Sequence, residues 1–136
     1  MKGSIAARVL LIVLACLVLS ACASAKRNEG LRVKLYNYAA AIRWNEIEQA
    51  LGYVNPAVLA AKPFTDADRA RWAQTQVSRY YEGPQSVDPD GSVRQVVQIE
   101  LIDRSTQTVR SIVDRQHWVF DDEAKVWWLD SGLPAL

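Results

Sequence analysis

The stretch that most restricts the fold is residues 92–103, where Val93, Val97, Ile99 and Leu101 alternate with Arg94, Gln98 and Glu100. Successive side chains of a strand point to opposite faces, so the run reads as a half-buried antiparallel strand with one wet face. Asp88-Pro89-Asp90-Gly91 just before it is a tight turn, because proline presets a turn dihedral and glycine accepts positive φ. Residues 74–82, with Val77, Tyr80 and Tyr81, are the expected preceding strand, ending at Gly83-Pro84. Residues 104–107 then turn the chain into a strand over 108–120, and the polar residues 121–125 turn it into Val126-Trp127-Trp128-Leu129. The strand over 108–120 has no clean apolar face, since Val109, Val113 and Val119 alternate with Ile112, Trp118 and Phe120. Either both of its faces are partly covered or a bulge shifts its register.

Ahead of the strands the period changes to that of a helix. Leu31, Leu35, Tyr38 and Ile42 form one stripe at 3.6-residue spacing, which predicts a helix over about 29–43 capped by Asn28. Asn45 with Glu48 reads as a capping box for a second short helix through Ile47 and Leu51 that stops at Gly52; the alternative is that the two helices run together, since a cap signature inside a helix is only a local preference. Asn55-Pro56 starts a third that ends before Pro63, and Thr65 with Asp68 starts a fourth. Asp66 and Asp68 sit at the positive end of that helix dipole, with Arg69 and Arg71 toward the other, so these acids are explained without catalysis. Helices followed by a meander of strands give an α+β domain with N-terminal helices packed on an antiparallel sheet. Strands this long should twist and bend strongly, because the usual length is about five or six residues.

The N-terminus follows different rules. Lys2 and Arg8 precede an uncharged run over 9–19, eleven residues where a membrane span takes about 20, so the run reads as a secretion signal. Leu19-Ser20-Ala21-Cys22 resembles the lipobox of bacterial lipoproteins. That resemblance implies cleavage between Ala21 and Cys22, diacylglycerol on the Cys22 thiol and a palmitate-type acyl group on the new amine. The segments are then a removed signal peptide over 1–21, the lipidated cysteine and a tether over 22–27, and a single α+β domain over 28–136. Ala23 in place of Asp implies, by the family's sorting rule in a Gram-negative cell, the periplasmic face of the outer membrane. The anchor is the expected membrane partner, and each buried methylene contributes about 0.8 kcal/mol to it. Cys16 leaves with the signal and Cys22 takes lipid, so the mature domain has no disulfide and its core must hold it together.

Removing Lys2 and Arg8 leaves 16 − 2 = 14 basic residues against 15 acidic ones, with no long basic run, so nucleic acid is not an expected partner. The order of elements, the hairpin at Asp88 to Gly91 and the closing Trp127-Trp128-Leu129 resemble the nuclear transport factor-like, or SnoaL-like, cone domains. That family curls a sheet around its N-terminal helix; a cystatin-like helix-on-sheet fold is the structural rival. The resemblance implies that Asp, His or Tyr in a cone cavity can act as acids and bases, and that a homodimer can form through the open sheet face.

The candidate pocket is Tyr38, Trp44, Asp114, His117 and Trp118. Asp114 and His117 look like a dyad, yet residues three apart in a regular strand face opposite ways. Arg115 and His117, or Asp114 and Gln116, are the pairs that share a face. One histidine and no free mature cysteine exclude thiol nucleophiles and multi-histidine zinc sites, and no phosphate-cradling loop occurs. No catalytic residue, metal ligand or cofactor is assigned. The favoured expectation is a non-enzymatic binding or assembly module of the cell envelope, with a partner protein or a small apolar ligand. The alternatives are a SnoaL-like isomerase or dehydratase and a carrier of lipid or another hydrophobe.

Overall fold

The structure, a computed structural model, describes residues 2–136, with side chains described for all of these except residues 2–5 and 18–20. The chain divides into two compact units at the junction between Val33 and Lys34.

Helix α1 (Lys2–Arg43) contributes its residues up to Val33 to the first unit. Val9, Leu10, Leu11, Ile12, Val13, Leu14 and Leu17 are exposed there. The helix holds an 18-residue window of mean hydropathy 2.5, more than the eleven-residue count suggests, and a signal sequence and a membrane span both fit that composition. Ala21 and Cys22 are exposed, whereas Leu19 and Ser20 lie outside the residues with described side chains. Asn28 does not cap a helix start. Alanine, lysine and arginine around it favour continuation, α1 runs through it, and Arg32 pairs with Glu29 at 2.7 Å one turn on.

The second unit is α+β, with helix packed against an antiparallel sheet. It takes residues 34–43 of α1 and then α2 (Ile47–Leu51), α3 (Pro56–Ala61) and α4 (Asp66–Ala73). The strands follow as β1 (Thr75–Val87), β2 (Val93–Asp103), β3 (Val109–Asp121) and β4 (Val126–Leu129), in the spatial order β1-β2-β3-β4. The expected box at Asn45 and Glu48 does not form. Asn45 turns the chain at φ 61° and donates its amide to the Trp72 carbonyl at 3.1 Å, so the residue ahead of α2 is Glu46, with no side-chain cap. Glu48 instead accepts from Arg69 Nε at 2.6 Å. Gly52 closes α2 at φ −64°, not in the left-handed region. The other two starts form as read: Asn55 Oδ1 accepts from the Ala57 N–H, and Thr65 with Asp68 makes a complete capping box.

β1 does not end at Gly83-Pro84. It continues to Val87, with register shifts between Val77 and Arg79 and between Glu82 and Gln85. Proline is tolerated there because β1 lies at the sheet edge and the strand bulges. Glycine is required beside it, since a Cβ on Gly83 would sit 2.6 Å from the Val96 carbonyl oxygen. At the opposite edge Val54 bridges Leu129, with the Asn55 N–H donating to the Leu129 carbonyl at 3.0 Å and the Leu129 N–H to the Tyr53 carbonyl at 2.8 Å. The hairpin at Asp88 to Gly91 closes with Gly91 at φ 83° and its N–H on the Asp88 carbonyl at 2.8 Å.

The core joins Tyr38 and Ile42 of α1, Trp72 of α4, Val97, Ile99 and Leu101 of β2, Trp118 of β3 and Leu129 of β4. The ambiguous pattern of β3 resolves without a bulge against β2, whose pairing runs unbroken from Val93 with Trp118 to Ile102 with Val109. Asp114, Gln116 and Trp118 turn inward, and the apolar Val109 and Val113 stay exposed.

Candidate functional site, a polar chain on the inner face of the sheet

Residues at spacing two share a strand face, so Asp114, Gln116 and Trp118 form one row facing the core. Gln116, 1% exposed, organises the row. Its Oε1 accepts from Trp118 Nε1–H at 3.0 Å, and its Nε2 donates to the Tyr80 hydroxyl at 2.9 Å and to Asp114 Oδ2 at 2.8 Å. Tyr80 reaches the row from β1. From α1 comes Tyr38, whose ring meets Trp118 edge-on at 5.5 Å and Tyr53 at 6.0 Å.

Burial governs the electrostatics. It pushes the Asp114 carboxyl up to about 6, and the hydrogen bond from Gln116 holds back only part of the rise. Burial likewise raises both phenols, that of Tyr38 strongly, with the nearby Asp114 charge adding to the effect. The Tyr38 hydroxyl is fully enclosed and has no hydrogen-bond partner among the described residues. Arg43 lies over the Tyr80 ring at 5.0 Å and 4.0 Å from Glu82. The row can therefore take up and release a proton near neutral pH. Tyr38 and Trp118, both at 0% exposure, fill the space beside it.

The candidate pocket comes together only in part. Tyr38, Asp114 and Trp118 converge, whereas Trp44 stands 78% exposed after the end of α1. His117 is in the half-exposed row opposite Asp114, where its Nε2 lies 3.0 Å from Ser92 Oγ. Ser92 in turn donates to Asp90 Oδ1 at 2.6 Å. The order differs from that of a catalytic relay, because the buried hydroxyl stands between imidazole and carboxylate. It locks the hairpin to β3. Two members of the inner cluster escaped the expected pocket. Gln116 was visible as the partner of Asp114 on one strand face, while Tyr80 comes from a different strand and carried no local signal.

No family model, curated protein or solved structure matches this chain.

Among the described residues no three His, Cys, Asp or Glu side chains gather as a metal site. Away from the inner face, a groove of about 290 Å³ opens between α3, α4 and the C-terminal segment, walled by Leu51, Val58, Leu59, Phe64, Trp72 and Leu133. Lys62 and Arg71 also line it, the latter bonded to Asp68.

Proposed function

We propose that the chain is a lipoprotein anchored through Cys22 at the periplasmic face of the outer membrane, carrying a SnoaL-like domain that binds an envelope partner and does not catalyse. The observation that carries the non-catalytic half is the closed inner face. Where a cone-type enzyme needs room for substrate beside its acid, Tyr38 and Trp118 are in ring contact and fully buried. Neither His117 nor Trp44 joins Asp114. The anchoring half is supported by an exposed Cys22 and by exposed apolar side chains from Val9 to Leu17 that favour an apolar environment over water.

Metabolic labelling with an alkyne fatty acid tests the anchor. The full chain should incorporate label and fractionate with membranes, and Cys22→Ser should do neither; equal membrane partition of an unlabelled parent would overturn the reading. For the binding half, a photo-crosslinking residue at Leu59 in the groove or at Val113 on the outer sheet face should give a discrete adduct in intact cells. Absence of adducts at both positions would remove the case for a partner.

The groove favours a second reading, a carrier of apolar molecules, because its walls are mostly aliphatic and aromatic. Displacement of a fluorescent fatty acid, abolished by Leu59→Arg, would support the carrier; no binding of the probe to the full chain would exclude it.

A further inference from the structure

The polar row on the inner face has one satisfied end and one open end. At the satisfied end Trp118 donates to Gln116, and both amide hydrogens of Gln116 are spent on Tyr80 and Asp114. At the open end the carboxyl of Asp114, 5% exposed, has this one side-chain hydrogen bond among the described residues, and the enclosed Tyr38 hydroxyl has none. Leaving the Tyr38 hydroxyl unanswered costs about 1–3 kcal/mol, and a buried carboxylate answered by a neutral amide is penalised by burial as well. Among the described residues no cation is paired with Asp114 to offset this. From α1 the nearby groups are Tyr38 and, farther along, Arg43, which is engaged by Glu82 and the Tyr80 ring and is 45% exposed. From β1 they are Tyr80 and Glu82. The inner face of β2 offers Val93, Gln95, Val97, Ile99 and Leu101, none ionisable. Tyr53 borders Tyr38, and the Lys34 ammonium is held over the Tyr53 ring at 5.2 Å.

We infer that Asp114, Gln116, Tyr80 and Tyr38 form a proton-binding site that sets how firmly residues 34–43 of α1 seat on the sheet. A proton from solvent adds to the carboxylate. The group is then neutral, keeps its bond from Gln116 and gains an O–H donor of its own. When the proton leaves, a poorly paired charge remains between helix and sheet. Its cheapest relief is water, admitted where Tyr38 meets Trp118. The carboxyl titrates near 6, so the change falls within the range of ordinary aqueous compartments. The inference is independent of the proposed anchor: a Cys22→Ser chain should titrate identically.

The test uses the full chain in detergent micelles. Carboxyl NMR should give Asp114 a midpoint near 6, and amide exchange over residues 38–42, corrected for intrinsic rates, should be faster at pH 8 than at pH 5 by roughly tenfold to a hundredfold. Asp114→Asn should show the same protection at both pH values. A midpoint near that of an exposed aspartate, about 4, would overturn the inference. So would equal protection of the parent at both pH values, or an unchanged pH response in Asp114→Asn. Should that variant fail to fold, the titration and exchange of the parent decide alone.

Discussion

Asp114 and Gln116 occupy positions that an apolar pair would fill at lower desolvation cost, and the consequence can be measured through pH. The folded carboxyl titrates near 6 and that of the unfolded chain near about 3.9. Between these values the native state keeps a proton that the unfolded state has released, so stability falls as pH rises through the window and stays low above it. The span corresponds to about 3 kcal/mol, and Asp114→Asn should recover much of it at pH 8 while changing little at pH 4, as read by chemical denaturation. Gln116→Leu should do the reverse. It strands the Trp118 N–H, Tyr80 and Asp114 together and should cost about 3 kcal/mol at neutral pH. At pH 8, where Asp114 is ionised, Tyr38→Phe removes a hydroxyl that has no partner among the described residues and should leave stability unchanged or raise it by about 1 kcal/mol, whereas Tyr38→Ala, which empties a fully buried site against Trp118, should cost about 4 kcal/mol. If Tyr38→Phe were as damaging as Tyr38→Ala, the hydroxyl would have to be bonded.

At the scale of elements, local grammar succeeded where the partner was local. The alternation in β2, the Asp88 to Gly91 hairpin, the Asn55-Pro56 start and the Thr65–Asp68 box each use groups within a few residues, and all formed as read. It failed where a distant group intervened: Asn45 was taken by the Trp72 carbonyl and Glu48 by Arg69. Pro84 ended β1 on paper because proline cannot donate, yet the strand passes it at a sheet edge with a bulge. Gly83 makes that passage possible. Gly83→Ala should therefore destabilise by about 1–3 kcal/mol through the clash with the Val96 carbonyl, while Thr65→Ala should cost about 1 kcal/mol through the lost cap. Thermal unfolding of the two variants side by side would rank them, and a harmless Gly83→Ala would mean that the strands can move apart.

For the whole molecule, period and order of elements determined the α+β class and the helix-then-sheet order, since burying an apolar stripe and an apolar sheet face leaves few arrangements. The proposed anchor rests on sequence alone, on the charged start, the apolar run and the Leu19 to Cys22 motif, because export and lipidation machinery reads an extended segment and not a fold. Which face of β3 looks inward was not legible, because its apolar residues are shared between both faces. Only the pairing with β2 and the seating of Tyr38 decided it, and they turned the polar set, Asp114 and Gln116, into the core. The five residues of the candidate pocket converge only in part for the same reason. Asp114 and Trp118 share a strand face by spacing alone, but the meeting of Tyr38, Tyr80 and Gln116 across helix and strands is a long-range contact that no local pattern encodes.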